Sequence, residues 1–123
     1  MNIERGCFYL ADLNPQRGTE AGKTRPVLVL QTDLLNVAKH PSTIVIPVTS
    51  NIEENAEPLR VRIPKGSKGF QVDSDLMIDQ VRAIDNRRLY KYKNNHLIKK
   101  IAHADWQLMQ KIEKCIKMVC DLN

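Results

Sequence analysis

The stretch Arg17-Gly18-Thr19-Glu20-Ala21-Gly22-Lys23-Thr24-Arg25-Pro26 holds the densest group of polar side chains that face no evident core. Its glycines permit backbone angles closed to other residues. Arg25 precedes a proline, which pushes it towards an extended conformation. A planar guanidinium is thereby set at the mouth of a strand, anchored by the apolar run that follows. Such a fork suits a phosphate, to which it can give two parallel hydrogen bonds. The same residues also describe a surface arginine in a hairpin loop, and composition does not separate the two readings.

Other chemistries find less support. The sequence contains no metal motif, no glycine-rich phosphate loop and no Gly-x-Ser-x-Gly elbow. No metal ligand set and no cofactor are expected. The histidines are His40, His96 and His103. His96 and His103 would lie two turns apart on an unbroken helix, so a two-histidine ribonuclease site is conceivable. Histidine beside lysine more often marks a wet face. Cys7, Cys115 and Cys120 are odd in number, far apart and without Cys-x-x-Cys spacing. Reduced, mostly buried thiols are expected rather than a zinc site or a disulfide framework.

The charge is unevenly spread. The formal net charge is +5. Residues 1–81 carry nine Lys/Arg and ten Asp/Glu, whereas residues 82–123 carry ten and four. A basic last third favours polyanions, either nucleic acid or an acidic peptide. No segment approaches the ~18 apolar residues of a membrane span. The first residues lack a basic-then-apolar leader pattern. No membrane partner and a cytoplasmic location are expected.

The elements that must position Arg25 are short. A chain of 123 residues fits one domain, residues 1–123, and leaves little room for a deep cavity. A site would lie in a surface groove or between two subunits. Gly6 to Asp12, Pro26 to Thr32, Thr43 to Thr49, Leu59 to Ile63 and Leu76 to Ile84 read as strands. Gln16 to Thr24, Ser50 to Pro58 and Pro64 to Phe70 read as loops. The acidic loop Glu53–Glu57 is expected to be mobile, at a groove edge. Asn94 to Ile101 suggests a short helix. From Asp105, a capping residue, Trp106, Met109, Ile112, Cys115, Ile116 and Val119 recur at steps of three and four. They mark one apolar face of a terminal helix. The sum is a small, bent antiparallel sheet or barrel with a helix packed on it.

One ordered series then stands out. Arg5-Gly6, Ala11-Asp12-Leu13-x-Pro15, Gly18-x-Glu20 and Arg25-Pro26-Val27-Leu28-Val29 come first. Asp33, Asn36, Ile46-Pro47-Val48-Thr49, Gly69, Asp79-Gln80-Val81-Arg82-x-Ile84-Asp85 and Arg88-Leu89 follow. Together they resemble the MazF/PemK toxin family over roughly residues 4–90. The resemblance implies a mainly β fold: an SH3-like small barrel, of the CcdB/PemK kind, made of antiparallel strands with a C-terminal helix. It implies a metal-independent endoribonuclease acting on single-stranded mRNA, a homodimer, and neutralisation by an acidic antitoxin peptide.

By matching position, Arg25 and Thr49 look like the catalytic pair. Glu20, Lys23 and Thr24 fall in the loop that such proteins use to hold RNA, and Gln80 matches a residue expected near a base. Asp79 matches a carboxylate that looks catalytic in the Kid branch. Met77 stands where that branch has arginine, which favours the Arg25/Thr49 arrangement. If their strand is regular, Gln80 and Arg82 share a face and Asp79 points the other way. Lys65 and Lys68 are candidate phosphate contacts from the third loop. The implied reaction uses RNA's own 2′-hydroxyl and leaves a 2′,3′-cyclic phosphate and a 5′-hydroxyl. Two rivals share the scaffold: a gyrase poison resembling CcdB, and a non-catalytic binding module. The ending Cys120-Asp121-Leu122-Asn123 gives the first little support.

Overall fold

The computed structural model describes residues 3–94 and 96–123. Seven strands form one antiparallel, half-barrel sheet: β1 (Cys7–Asp12), β2 (Thr24–Val29), β3 (Ser42–Thr49), β4 (Arg60–Ile63), β5 (Ser74–Met77), β6 (Arg82–Asp85) and β7 (Lys100–His103). The path runs β4-β5-β3-β2-β1-β7, with β6 on β3. Two helices complete it: a single turn, α1 (Asp33–Val37), and the terminal α2 (Trp106–Val119).

The apolar runs of β1 to β3 are nearly continuous because both faces of these strands are covered. Tyr9, Val27, Val29 and Val45 point into one buried cluster, closed by Leu13, Leu89 and Ile98. Phe8, Leu28, Ile46 and Val48 point into the other, closed by Ile112 and Cys115 of α2. Successive side chains of a strand alternate faces, so one strand serves two cores. Full burial of an aliphatic side chain such as Ile112 contributes about 1.5–3 kcal/mol. Asp105 caps α2 as expected, its carboxylate accepting from the Leu108 N–H at 2.8 Å.

Several expectations change. Trp106 begins the apolar stripe of α2, yet it is 72% exposed. Trp106 faces away from the core, and Leu108 and Met109 of the same turn pack against it instead. The run 76–84 is two strands, broken by a 3-10 turn at Ile78–Gln80. That break lets β5 pair with the end of β3 and β6 with its beginning. Gln80 and Arg82 therefore share no regular strand face. The run after Val29 turns into α1, capped by the Thr32 side chain, instead of continuing as strand. Asn94–Ile101 is not a helix among its described residues. Tyr90 to Tyr92 and Leu97 to Lys99 form a hairpin, with Tyr92 N–H donating to Leu97 O and Lys99 N–H to Tyr90 O. His96 and His103 consequently do not share a helical face. No helix among the described residues is long and apolar enough to cross a membrane.

Candidate active site

Two shallow clefts, of about 370 and 410 Å³, meet on a common lip. Arg25, Thr49 and Asn51 line both. Thr24 opens β2 opposite Asp12, and Thr49 closes β3 beside Asp75. The register of β2 on β3, Val27 against Pro47, brings the two strand ends together. Pro47 is tolerated there although β3 is an inner strand: β2 pairs on one side and β5 and β6 divide the other.

Arg25 is half-buried, and its hydrogen-bond partners are carbonyls. Its Nε donates to Gly22 O at 2.7 Å, and Nη1 reaches Val48 O at 3.5 Å. Burial lowers the guanidinium pKa from its usual value. With no carboxylate bound to it among the described residues, the group keeps an uncompensated positive charge. Gly22 makes this seat possible for a steric reason. A Cβ built there would lie 2.5 Å from Cβ of Gln16. Only glycine lets the loop fold closely enough to offer that carbonyl.

The Thr49 hydroxyl oxygen accepts from Asn51 N–H at 3.1 Å, which leaves its hydrogen to donate elsewhere. Lys23 and Thr24 line the first cleft, which contains two cations and no carboxylate. Glu20, Asp79 and Gln80 line the second, with Glu53 and Arg60. Gln80 Oε1 accepts from Ala21 N–H at 3.2 Å and so pins the loop to the 3-10 turn.

Three other candidates line neither cleft. Lys65 is exposed; its backbone N–H donates to Asp73. Lys68 is bound to Asp105 at the head of α2. Arg82, on β6, leaves its buried Nη1 without a hydrogen-bond acceptor among the described residues. The acidic loop departs from expectation too. Arg60 reaches Glu53 and Asn51 O, Arg62 reaches Glu54, and both arginines bind Asp75, itself 1% exposed. The loop is held down and its charge compensated. Asn51, Tyr90 and Arg60 had not been singled out in the sequence. Asn51 was findable, since a threonine two residues upstream can form a side-chain turn. Tyr90, whose hydroxyl lies 3.0 Å from Thr24 Oγ1, depends on a long-range pairing.

Larger grooves exist. One of about 870 Å³ follows α2 past Lys111, Lys114 and Lys117, and one of about 620 Å³ lies beside Arg87, Arg88 and Tyr90. Neither is lined by Arg25 or Thr49. Among the described residues no group of three or more His, Cys, Asp or Glu could hold a metal ion.

A bent antiparallel half-barrel closed by a C-terminal helix defines the class of small single-sheet proteins to which this fold belongs. The chain belongs to the PemK-like, MazF-like toxins of type II toxin–antitoxin systems, whose family pattern it matches over residues 4–120. It is 36% identical over 118 residues to Endoribonuclease EndoA of Bacillus subtilis (strain 168), covering 96% of this chain and 94% of that one. The Mycobacterium tuberculosis toxin MazF-mt6 superposes with a TM-score of 0.73 at 19% identity, over 95% of this chain and 98% of the other. MazE-MazF (Form-III) from Deinococcus radiodurans superposes with a TM-score of 0.69 at 20% identity, over 98% of each chain. The antiparallel architecture with its terminal helix is the fold of these neighbours.

Proposed function

We propose that this chain is a sequence-specific, metal-independent endoribonuclease toxin that cuts single-stranded mRNA. The observation that carries this reading is the shared lip: Arg25, free of carboxylate partners among the described residues, beside Thr49, where two clefts of different character meet. The only charged side chains lining the first cleft are the cations Lys23 and Arg25, which suit the scissile phosphodiester. The second offers the acceptors Glu20, Asp79 and Gln80, which suit base edges.

RNA carries its own nucleophile. The protein need only splay the strand so that the 2′-oxygen, phosphorus and leaving 5′-oxygen fall in line, and alignment alone supplies several kcal/mol. Arg25 stabilises charge on the phosphoryl oxygens and Thr49 donates a hydrogen bond to them. Burial draws the Arg25 pKa downward. A guanidinium is not deprotonated in proteins, so charge stabilisation is its first role. The products are a 2′,3′-cyclic phosphate and a 5′-hydroxyl, and DNA resists cutting because it has no 2′-hydroxyl.

The working unit is a homodimer in the cytoplasm, with RNA crossing between subunits and an acidic antitoxin segment competing for the same cationic groove. Purified RNA incubated with the protein in EDTA tests the reading. Cutting with cyclic-phosphate ends, lost in Arg25→Ala, supports it; intact transcripts refute it. Undiminished turnover in a ternary complex with the acidic peptide would refute the competition.

A further inference from the structure

The hairpin that replaces the expected helix at residues 90–99 carries a second surface. Tyr90 and Tyr92 are 38% and 45% exposed. Between Asp85 and Asp105 the sequence has no acidic residue and six Lys/Arg. Arg87 is paired with Asp85 and Lys100 with Glu4. Arg88 donates to the carbonyls of Asp12 and Asn14, neither of which neutralises it. Lys91, Lys93 and Lys99 bind no carboxylate among the described residues. Lys99 instead stands over the Tyr92 ring, 5.9 Å from its centroid.

This surface is continuous with the cationic cleft. Thr24 lines that cleft, and its hydroxyl lies 3.0 Å from Tyr90 Oη. Tyr90 in turn lines the groove of about 620 Å³ beside Arg87 and Arg88. The two carboxylates there, Asp12 and Asp85, are occupied by Asn14 N–H and by Arg87.

We infer that the hairpin of residues 90–94 and 96–99 is a flanking-strand site, on which bases beyond the cut stack against Tyr90 and Tyr92, two residues apart on one face, while Lys91 and Lys93, long enough to reach round from the other face, draw in their phosphates. Exposed aromatic rings interleaved with unpaired lysines are what single-stranded nucleic acid uses when grip matters more than sequence. An acidic peptide would use the lysines but gain little from stacking faces. The site rests on the endoribonuclease reading and lengthens its substrate beyond the bases held in the clefts.

The test uses the full-length protein and three RNAs: a short one confined to the mapped cleavage site, and the same RNA extended on its 5′ or its 3′ side. Tyr92→Ala and the pair Lys91→Glu/Lys93→Glu are compared with wild type. On one of the extended RNAs, Tyr92→Ala is expected to raise KM about tenfold, the loss of roughly one stacked base, with kcat unchanged. The same variant leaves KM for the short RNA where it was. The salt dependence of wild-type binding to that extended RNA should be steeper than for the short one. Removing both lysines should flatten it by about 0.7 per phosphate contact. Tyr90→Phe keeps the ring and loses the link to Thr24, so it should retain the advantage of the longer RNA.

Equal KM changes on short and long RNA would overturn the site, as would none on either extension. Weakened binding of an acidic peptide with unaltered RNA kinetics would assign the surface to that peptide instead. A change of oligomeric state in Tyr92→Ala would assign it to contact between copies. If wild type cuts none of the three RNAs, the endoribonuclease reading itself fails, a result distinct from all of these.

Discussion

Arg25 and Arg60 both line the second cleft, and their guanidiniums keep opposite company. Arg25 rests on the carbonyls of Gly22 and Val48 and stays chemically unspent. Arg60, with Arg62 behind it, is tied to Asp75, Glu53 and Glu54. The pKa of Arg25 falls because it is desolvated; that of Arg62 rises, chiefly through its hydrogen bond to Asp75. A cation seated on neutral oxygens is oriented but uncompensated, so it can meet an incoming anion. A cation seated on carboxylates is a strut. On the proposed reading, the contrast separates reaction from scaffold within one groove.

Removing the cation from each seat should therefore have different consequences. Arg25→Ala is expected to lower RNA cleavage by about a thousandfold, the scale of losing a preorganised charge-stabilising donor, with the melting curve nearly unmoved. Cleavage assays beside thermal melts check this. A comparable loss in Arg60→Ala would erase the distinction between the two seats.

Asp75→Ala leaves two arginines facing a buried vacancy. It should destabilise the fold by roughly 3 kcal/mol in urea titrations, since breaking a buried pair strands its partners. Cleavage per folded molecule should survive. Thr49→Val keeps the strand shape and deletes the donor. It should slow kcat by ten- to a hundredfold without changing stability, which places the hydroxyl on the reactive side of the comparison.

The smallest effect concerns pH. Lys68 first, and then Leu108 N–H, hold the Asp105 carboxyl below the usual carboxylate range. A depressed folded pKa means that the stabilisation is present above the ordinary value of about 3.9 and is lost as pH falls through the folded value. Asp105→Ala should lower the melting temperature slightly at neutral pH. The gap to wild type should close in acid, with cleavage at neutral pH unaffected.

Much of this was legible in the residues. Apolar runs bounded by turn signals marked most strands, and the steps of three and four marked α2 and its cap. The sequence also placed Arg25 at the start of a strand. Other features depend on distant pairings. The run 94–101 carries no local signal for the hairpin that Lys91 and Ile98 close. The polar break at Asp79-Gln80 within an apolar run did not reveal that β5 and β6 divide one neighbour between them. Nor did the alternation of Arg60 and Arg62 disclose that both would converge on Asp75, because one strand's pattern names no partner.

The missing side chain at position 22 has a wider consequence. Because the arginine's seat is a main-chain oxygen, its identity does not depend on the letters around it. On the proposed reading, residues along the rest of the loop would change which bases are preferred while the reacting centre stays as it is. One added methyl at position 22 would push Gln16 aside and tilt that oxygen, and on the proposed reading it would mistime the cut for every substrate alike. New target sequences can therefore be sought in this scaffold without redesigning its chemistry, provided that one spot stays bare.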